Sequence, residues 1–454
     1  PPGRGGVAIV RVSGTMAPAI AQTLLGALPA PRQATFGRWR DSAGEIIDTG
    51  IAIFFPAPGS FTGEDVLELQ GHAGLIVEAL IDRVVELGAR RARPGEFSER
   101  AFLNDKIDLA QAEAIADLID AGSRGAARAA MRSLQGEFSA RVEATRAALT
   151  HLRVYVEAAI DFPEEEIDFL ASTELAERVE YVRRLLDDVL QAARRGALLT
   201  RGLTVVIAGR PNAGKSTLLN QLAGYEAAIV TPVAGTTRDP LRVQLEISGV
   251  PVELIDTAGL RELPAGTATS TADAIEAEGM RRAREAIARA DHVLYVIDAA
   301  EDPQARAYDA ERSSLPHGVP VTVLMNKSDL ATDDASDCSP PAAAARDARH
   351  DGPARIALSA ATGSGIDALR GRLASLAGHA EAAGGSFSAR ARHVDALERG
   401  ARQLDAAIRQ LEAKQGELAA FELRGAQASL GEVIGDVTSD ELLGHIFSSF
   451  CIGK

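Results

Sequence analysis

Apolar and polar positions along the chain follow different periods in different regions, and these periods divide it into parts. Within residues 1–105, short β-type apolar runs occur at 7–12, 51–55 and 66–70, and a helical stretch occurs at 75–87. Apolar runs of this length predict strands, and a helix among them gives a mixed arrangement. The pattern predicts a small α+β domain at the start of the chain.

Helical periodicity dominates two later segments, residues 106–200 and 379–454. In both, apolar residues recur mostly in steps of three and four, as on one face of a helix. A coiled-coil dimer is one explanation of the second segment. Packing of the two segments on each other into one discontinuous helical-bundle domain is the simpler explanation. Residues 201–378, where apolar strands alternate with helices, then form an inserted α/β domain.

The inserted segment contains a glycine-rich loop of defined chemistry. Residues 209–216 read Gly-Arg-Pro-Asn-Ala-Gly-Lys-Ser, between the apolar run 203–208 and the helical stretch 217–222. In a strand–loop–helix context this is a phosphate loop, whose backbone N–H groups surround phosphate oxygens at a helix N-terminus. We expect Lys215 to reach the outer phosphates and Ser216 to bind Mg²⁺.

Three further motifs follow in order at the ends of apolar runs. Residues 256–259 (Asp-Thr-Ala-Gly) can hold the Mg²⁺ shell and sense a γ-phosphate. In residues 326–329 (Asn-Lys-Ser-Asp), the Asp329 carboxylate can accept N1–H and N2–H₂ of guanine, a donor pair that adenine lacks. The backbone of Ser359-Ala360 is expected to contact guanine O6. Together the four motifs predict a P-loop GTPase domain of the Ras-like α/β type that binds GTP and Mg²⁺. The residues assigned to the nucleotide are Asn212, Ala213, Gly214, Lys215, Ser216, Thr217, Thr237, Asp256, Thr257, Ala258, Gly259, Asn326, Lys327, Asp329, Ser359 and Ala360.

The group that activates the attacking water is not evident from these motifs. Leu260 follows the Asp-Thr-Ala-Gly motif, where many GTPases carry a glutamine, and a leucine cannot orient water. Thr237 in the first switch, residues 231–239, is available to Mg²⁺ and the γ-phosphate. Arg210 lies at a loop position that usually points away from the γ-phosphate. Asn212 is a candidate ligand for a monovalent cation that would supply positive charge in place of an arginine finger, although an Asn in a tight turn is more often structural.

Composition narrows the class of protein. The 454 residues predict two to four domains, and 46% hydrophobic with 24% charged residues is ordinary for a globular protein. A formal net charge of −15 argues against binding nucleic acid by bulk electrostatics. Two distant cysteines, Cys338 and Cys451, give no disulfide framework and favour a cytoplasmic location. We find no membrane-spanning run or signal peptide, and a first residue of Pro1 leads us to expect that the natural chain begins upstream.

The chain resembles the MnmE (TrmE) family of tRNA-modification GTPases over essentially its whole length. Besides the GTPase motifs, the most specific matches are residues 1–7, 61–65 (Phe-Thr-Gly-Glu-Asp), 93–106 and the terminal 450–454 (Phe-Cys-Ile-Gly-Lys). The resemblance implies a homodimer formed through the N-terminal domain. It also implies a FAD-containing partner, MnmG (GidA), in a heterotetramer or larger complex through which tRNA is reached, and no membrane association.

The reaction implied by the resemblance is the addition of an aminomethyl or carboxymethylaminomethyl group to C5 of the wobble uridine of certain tRNAs. A tetrahydrofolate, in the 5,10-methylene or 5-formyl form, is the implied one-carbon donor. Hydrolysis of GTP is implied to require K⁺, which makes GTPase domains pair across the dimer. The resemblance assigns K⁺ to Asn212, Thr231, Val233 and Thr236, with Thr231 and Thr236 also counted among the nucleotide ligands. It assigns Mg²⁺ to Ser216 and Thr237, and folate to Arg11, Glu68, Lys106 and Lys454.

The implied catalytic residues are Glu276, Lys215 and Cys451. A switch II glutamate that positions water matches Glu276, but an insert at about residues 264–271 leaves Glu278 as a competitor. Cys451 is either a nucleophile toward the uridine or inert packing, and a flavin-mediated route is preferred to covalent attack. By pattern alone, Arg11 and Glu68 would be solvent-facing strand residues, and Lys106 an ordinary turn residue.

Two other functions remain open at this stage. One is a GTPase switch for ribosome or ribonucleoprotein assembly without a role in base modification, for which a basic RNA-binding module would be expected. The other is a folate-binding scaffold in which the nucleotide state only orders the partner.

Overall fold

The computed structural model describes residues 5–161, 173–225, 242–247, 250–256, 290–312, 319–330, 353–376, 387–436, 440–448 and 450. The chain divides into two compact units. The first comprises Pro1–Ala116, Ser133–Val189 and Asp395–Lys454, and the second comprises Asp117–Arg132 and Leu190–Val394. The described helices are α1 (Ala17–Leu25), α2 (Leu75–Glu86), α3 (Glu96–Leu103), α4 (Leu109–Ile119), α5 (Arg124–Leu134), α6 (Glu137–Asp161), α7 (Thr173–Arg201), α8 (Lys215–Tyr225), α9 (Arg306–Glu311), α10 (Ile366–Leu376), α11 (Ala391–Glu412), α12 (Gly416–Ile434) and α13 (Asp440–Ser448).

The first unit begins with an antiparallel sheet. Its strands are β1 (Ala8–Ser13), β2 (Thr35–Arg40), β3 (Ile46–Phe55) and β4 (Val66–Gly71), in the order β1-β4-β3-β2. One face packs on α1 and α2 through a core of alternating strand residues that includes Val10, Trp39, Ala52 and Leu69. The three strands and the helix predicted from apolar runs are confirmed, and β2 is an additional edge strand.

The opposite face of this sheet carries a row of apolar side chains. The register aligns Ile9 with Gln70, Gln70 with Ile51, and Ile51 with Phe36, so that these four residues cross the sheet side by side. Ile9, Ile51 and Phe36 are exposed, Phe36 to 69%. The described first unit therefore presents a partly apolar surface on the side away from its core.

Helices from the second and third segments of the first unit pack together. α12 lies along α6, and its buried residues Ala419, Leu423, Ala426 and Leu430 follow one helical face. Gln427 of α12 also donates a hydrogen bond to the hydroxyl of Thr150 on α6. This arrangement confirms that helical segments on the two sides of the inserted domain form one bundle. The divisions between the two units fall within four described helices, α4, α5, α7 and α11.

The second unit is built on a six-stranded sheet. Its strands are β5 (Leu203–Gly209), β6 (Arg242–Ile247), β7 (Val250–Asp256), β8 (His292–Asp298), β9 (Val321–Asn326) and β10 (Ala354–Ala357), in the order β10-β9-β8-β5-β7-β6. Among the described strands only the β6–β7 pair is antiparallel, and the central strands are mostly apolar because both of their faces are buried.

The carboxyl ends of parallel strands β5, β7, β8 and β9 meet at one edge of this sheet, which is where ligands bind in open α/β sheets. The multidomain fold predicted from the sequence is confirmed, while the predicted domain boundaries stay predictions. Among the described residues, no helix is both long and apolar enough to cross a membrane.

Candidate functional site

The phosphate loop connects β5 to α8 at the carboxyl edge of the sheet. Gly209 and Gly214 have φ angles of 138° and 92°, in the region that favours glycine. A β-carbon at Gly209 would overlap the carbonyl oxygen of Val296, and one at Gly214 would overlap the side-chain amide of Asn326. The two glycines are therefore required both by the turn of the loop and by its close approach to β8 and β9.

Lys215 begins α8 and is only 6% exposed. Its ammonium group donates hydrogen bonds to the carbonyl oxygens of Gly209, at 3.0 Å, and Arg210, at 2.8 Å. These bonds hold the positive charge above the loop, where the helix N-terminus also favours anions. The arrangement suits an ammonium that binds phosphate oxygens.

Asn326, the last residue of β9, joins three of the predicted motifs. It is 2% exposed, and its Nδ2 atom donates to the carbonyl oxygen of Ala213 at 2.7 Å. Its Oδ1 atom accepts the backbone N–H of Ala360 at 2.9 Å. One buried amide thus connects the phosphate loop to the two motifs assigned to the base. The contact of Ala360 with guanine O6 stays a prediction.

Lys327 lies beside the base motif in the left-handed conformation, with φ 60°. Its ammonium contacts the Asp298 carboxylate at 2.6 Å. Burial acts to raise the pKa of Asp298, but hydrogen bonds from Lys327 and from the N–H of Ala300 outweigh it and lower that pKa below the usual value. The carboxylate is therefore charged and fixes Lys327. Sequence reasoning missed Asp298, although it ends the apolar run of β8.

The remaining described residues of the nucleotide motifs lie close to this framework. Asp329 is exposed, as a residue that binds a base at the rim would be. Ser359 is fully buried, and its backbone N–H donates to the carbonyl oxygen of Ser364 at 2.9 Å. The N–H of Thr362 donates to the Ser359 hydroxyl at 3.2 Å. The loop that carries Ala360 is closed by these bonds.

Asn212 and Arg210 differ in orientation within the phosphate loop. Asn212 is exposed and has φ 63°, a conformation that Asn adopts more readily than most residues. The guanidinium of Arg210 is directed toward the carboxylate of Glu311, at 3.2 Å, which also accepts the Tyr295 hydroxyl at 2.6 Å. Ser216 and Thr217 are exposed at the start of α8.

Several predicted site residues lie outside the described part of the chain. They are Thr231, Val233, Thr236, Thr237, Thr257, Ala258, Gly259, Glu276 with its competitor Glu278, Cys451 and Lys454. Asp256 is described in its backbone, as the last residue of β7.

A second cluster of predicted residues lies in the first unit. Arg11 on β1 and Glu68 on β4 are register partners, and Arg11 Nη2 lies 2.7 Å from Glu68 Oε1. The Glu68 side chain is only 14% exposed, so the pattern-based view of it as solvent-facing is wrong. The Arg11 guanidinium carbon lies 6.0 Å and 5.8 Å from the ring centroids of Phe61 and Phe97, within cation–π range.

A polar network that sequence reasoning missed lies in the same part of the first unit. The Ser13 hydroxyl donates to the Glu64 carboxylate at 2.8 Å and lies 2.7 Å from the Thr62 hydroxyl. Arg100 donates from Nη1 to both Glu64 oxygens, at 2.9 Å each. Arg100 also binds the buried Glu96. Apart from Ser13 on β1, the residues of this network lie in segments 61–65 and 93–106, which the sequence analysis singled out as wholes.

Glu96 is the most strongly stabilised carboxylate of this network. The hydrogen bond from Arg90 is the main cause that lowers the pKa of Glu96 to about 2, and the N–H of Arg93 and the Arg100 guanidinium act in the same direction against burial. Lys106, the third predicted folate residue in the described chain, follows the end of α3. Its ammonium donates to the carbonyl oxygen of Pro58 at 3.0 Å.

Two protein-family models together match nearly the whole chain. Residues 1–106 match the family model described as the N-terminus of the GTP-binding protein TrmE, and residues 109–451 match the model of the MnmE helical domain. Several solved structures of GTP-binding proteins are weakly similar to the chain. A GTP-binding protein from Sulfolobus solfataricus in complex with GDP is 17% identical, with a TM-score of 0.28, over 52% of this chain and 66% of that one.

Two further structures are similar to the same degree. The G domain of the FeoB iron transporter from T. maritima is 23% identical, with a TM-score of 0.26, over 38% of this chain and 98% of that one. An Aquifex aeolicus Era variant bound to GDP and AlF₄⁻ is 22% identical, with a TM-score of 0.28, over 44% of this chain and 66% of that one. At these TM-scores the neighbours add nothing to the assignment of function.

Proposed function

The chain belongs to the MnmE (TrmE) family of tRNA-modification GTPases, and from this premise we propose a K⁺-dependent GTPase that works with a FAD-containing partner, MnmG (GidA), in the cytoplasm. The complex adds an aminomethyl or carboxymethylaminomethyl group to C5 of the wobble uridine of certain tRNAs. The observation that carries the proposal is the buried amide of Asn326, which unites a phosphate loop and a guanine motif in one site.

The nucleotide half of the proposal assigns a task to each described group. Lys215, held above the phosphate loop by two carbonyl oxygens, binds the β- and γ-phosphates. The Ser216 hydroxyl provides one of the hard oxygen donors that Mg²⁺ prefers, and Thr237, which lies outside the described residues, provides another. Asp329, exposed at the rim, accepts both N–H groups on the guanine edge. Thr217 and Ala213 line the phosphates with backbone N–H groups.

A monovalent cation supplies, in addition to Lys215, the positive charge that an arginine finger would otherwise bring to the γ-phosphate. The guanidinium of Arg210 is directed toward Glu311, and Leu260 offers no polar atom. We assign K⁺ to Asn212, with Thr231, Val233 and Thr236 as the other ligands. GTP hydrolysis is then expected to rise steeply with K⁺ and barely with Na⁺. Equal rates in the two salts would contradict a cation-assisted mechanism.

Water is positioned by Glu276 in this scheme, with Glu278 as the alternative. The two variants Glu276→Ala and Glu278→Ala form a matched pair, because they remove the same group from the same segment. K⁺-stimulated turnover is expected to fall in the first and to persist in the second. Full activity of Glu276→Ala ends the assignment.

The folate half of the proposal rests on the Arg11–Glu68 pair. A carboxylate that is mostly buried and fixed by an arginine is suited to accept paired N–H groups from a flat heterocycle. The rings of Phe61 and Phe97 beside Arg11 provide apolar contact area. When bound, a 5-formyl- or 5,10-methylenetetrahydrofolate supplies the one-carbon unit. Lys106 and Lys454 bind its anionic end, and Glu68→Gln is expected to weaken binding of 5-formyltetrahydrofolate.

The partly apolar face of the N-terminal sheet supports a homodimer. Exposed apolar rows on a soluble domain mark interaction surfaces, and Ile9, Ile51 and Phe36 form such a row. Light scattering is expected to give a dimer for the wild type and a smaller species for Phe36→Asp. A net charge of −15 agrees with tRNA being bound through the complex with MnmG rather than by this chain alone.

The decisive experiment is mass analysis of the wobble uridine in cells that lack this chain. Complementation by the wild type is expected to restore the modified base, and Lys215→Ala is expected to fail. Full modification in the deletion cells would favour an assembly switch without a role in base chemistry.

A further inference from the structure

Two cations of the first unit lie side by side without acidic partners. In the described part of this unit, most arginines between residues 5 and 106 bind a carboxylate, namely Arg11, Arg83, Arg90, Arg91, Arg93 and Arg100. Arg32 and Lys106 are exposed, and within the described residues no carboxylate pairs with either of them. Among the described residues Arg38 and Arg40 of β2 likewise have no carboxylate partner, so what distinguishes Arg32 and Lys106 is that both contact one loop.

Arg32 and Lys106 approach one short loop from different elements. Arg32 precedes β2, and its guanidinium donates to the carbonyl oxygen of Gly59. Lys106 follows α3, and its ammonium donates to the adjacent carbonyl oxygen, that of Pro58, at 3.0 Å. Because each charge is anchored to one of two consecutive residues, the pair forms a compact and positively charged surface. We call this surface, made of Arg32, Lys106, Pro58 and Gly59, the cationic rim.

The backbone around the cationic rim holds both side chains in place. Arg32 has φ 60°, and its N–H donates to the carbonyl oxygen of Phe54 at 2.8 Å, while its guanidinium carbon lies 5.8 Å from the Phe55 ring centroid. The stem of Lys106 lies over Gly63, whose φ is 78°, so closely that a β-carbon there would be 3.3 Å from Lys106 Cγ. Both cations therefore project from fixed positions.

The cationic rim is continuous with the proposed folate pocket. The loop that carries Pro58 and Gly59 continues directly to Phe61, whose ring lies 6.0 Å from the Arg11 guanidinium carbon. A folate ends in a glutamate with two carboxylates, and longer forms add further glutamates through γ-amide bonds, each of which raises the number of free carboxylates by one. Such a tail is a short, flexible polyanion that leaves the pocket at its outer end. Its charge is opposite to that of the cationic rim.

From this placement we propose that Arg32 and Lys106 bind the oligo-γ-glutamate tail of the folate, so that the protein prefers polyglutamylated donors to the monoglutamate. The inference rests on the proposed folate site and adds a specificity-determining residue, Arg32, to it. A nucleic acid backbone is the alternative anion, but two cations are few for phosphate-based binding, whose strength grows with the number of phosphates neutralised.

The test compares two ligands on the full chain. Calorimetry with 5-formyltetrahydrofolate and its tri-γ-glutamate is run at 50 and at 300 mM KCl, so that salt-sensitive contacts can be recognised. Exposed ion pairs are worth up to about fivefold in affinity each, and Lys106 can bind the first glutamate of either ligand, so the added contact with Arg32 predicts up to about a fivefold preference for the triglutamate at low salt. This preference is expected to shrink at high salt.

Three variants locate the preference. Arg32→Gln is expected to reduce it, whereas Arg32→Lys, which keeps the charge, is expected to retain most of it. The matched control is Arg38→Gln, which removes another exposed arginine from β2 and is expected to leave the preference intact. Thermal unfolding of each variant shows whether the loop remains folded, and a retained preference in Arg32→Lys separates charge from loss of structure.

The outcomes distinguish failure of this inference from failure of the folate site. Equal affinity for the two ligands, or a preference that survives in Arg32→Gln, overturns the role of the cationic rim and leaves the folate pocket standing. Binding of neither ligand overturns the pocket itself. Loss of tRNA affinity in Arg32→Gln with an unchanged tail preference would assign the rim to nucleic acid.

Discussion

The side-chain amide of Asn326 donates a 2.7 Å hydrogen bond to the carbonyl oxygen of Ala213, 113 residues earlier in the chain. The same amide accepts the N–H of Ala360 through its oxygen. A base-recognition motif and a phosphate loop are thus fixed to each other by a single side chain. The geometry of one half of the nucleotide site depends on that of the other.

Replacement of this amide is expected to destabilise the second unit. Asn326→Ala leaves a buried carbonyl and a buried N–H without partners, which predicts a loss of about 2–4 kcal/mol in the free energy of unfolding and weaker GDP binding. Chemical denaturation and fluorescent-nucleotide titration measure the two effects. The control is Asn104→Ala, which removes one bond to the Thr62 carbonyl in the first unit. A fall in GDP affinity in the control as large as in Asn326→Ala would contradict the prediction.

Asp329 is expected to set base specificity. Asp329→Asn removes the acceptor for two guanine N–H groups, which predicts at least about a 100-fold loss of GDP affinity. Xanthosine diphosphate, whose C2 oxygen can accept from the new amide, is expected to bind the variant better than GDP does. Titration of both nucleotides measures the change. Asp309→Asn, an exposed substitution on α9, provides the control. An unaltered preference for guanine in Asp329→Asn places base recognition elsewhere.

Because His292 is buried, we expect the folded protein to lose stability in mild acid. It is fully buried at the start of β8, its Nε2 lies 2.8 Å from the Thr322 hydroxyl, and burial, with a smaller effect of Arg372, lowers its pKa from 6.5 to about 4. Between these pH values the unfolded chain binds a proton that the folded chain does not. Stability therefore falls as the pH drops from 6.5 toward 4, by up to about 3 kcal/mol.

The comparison that isolates this effect uses His292→Gln, which cannot titrate in this range. Urea unfolding of both proteins at pH 5 and pH 7 gives the change in the free energy of unfolding with pH for each. The other titratable groups contribute equally to both proteins, so the difference between the two changes is due to His292. Parallel pH dependences of the two proteins would mean that His292 becomes protonated in the folded chain.

Because the charged form of Glu96 is stabilised in the fold, we expect a second loss of stability at lower pH. Its pKa is lowered to about 2 and its side chain is 5% exposed, so the charged form stabilises the fold above the unfolded value of 4.5. That stability, about 3 kcal/mol, is lost as the pH falls from 4.5 toward 2. Glu96→Gln is expected to cost a similar amount at pH 7, measured by denaturation. Glu99→Gln, which breaks the more exposed pair with Arg93, is expected to cost less than 1 kcal/mol.

The strands and loops that carry the nucleotide motifs were predictable because each motif is local in sequence. Strands β5 and β9 are buried on both faces, so they appear as continuous apolar runs, and a motif follows each directly at the strand end. Strand β2 was not predicted, since its large apolar residues Phe36 and Trp39 point to opposite faces and break the alternation.

Contacts between distant residues were not predictable from the pattern. The Ser13–Glu64–Arg100 network joins residues 51 and 36 positions apart, and no periodicity signals such a contact. The burial of Glu68 likewise follows from its partner Arg11, which only the register of β1 and β4 brings beside it. Asp298 shows the same limit, because its importance lies in the ion pair with Lys327.

The continuity of α7 has a practical consequence for protein engineering. This helix runs for 29 residues, and the division between the compact units falls inside it, after Val189. A fragment cut at that division would leave each product with a severed helix end and exposed apolar side chains. A recombinant nucleotide-binding fragment should instead start near Gly202, where φ 76° marks a natural stop. Such a fragment lacks Leu199, which packs against Val250 of β7. The solubility of the fragment shows how strongly β7 depends on that contact.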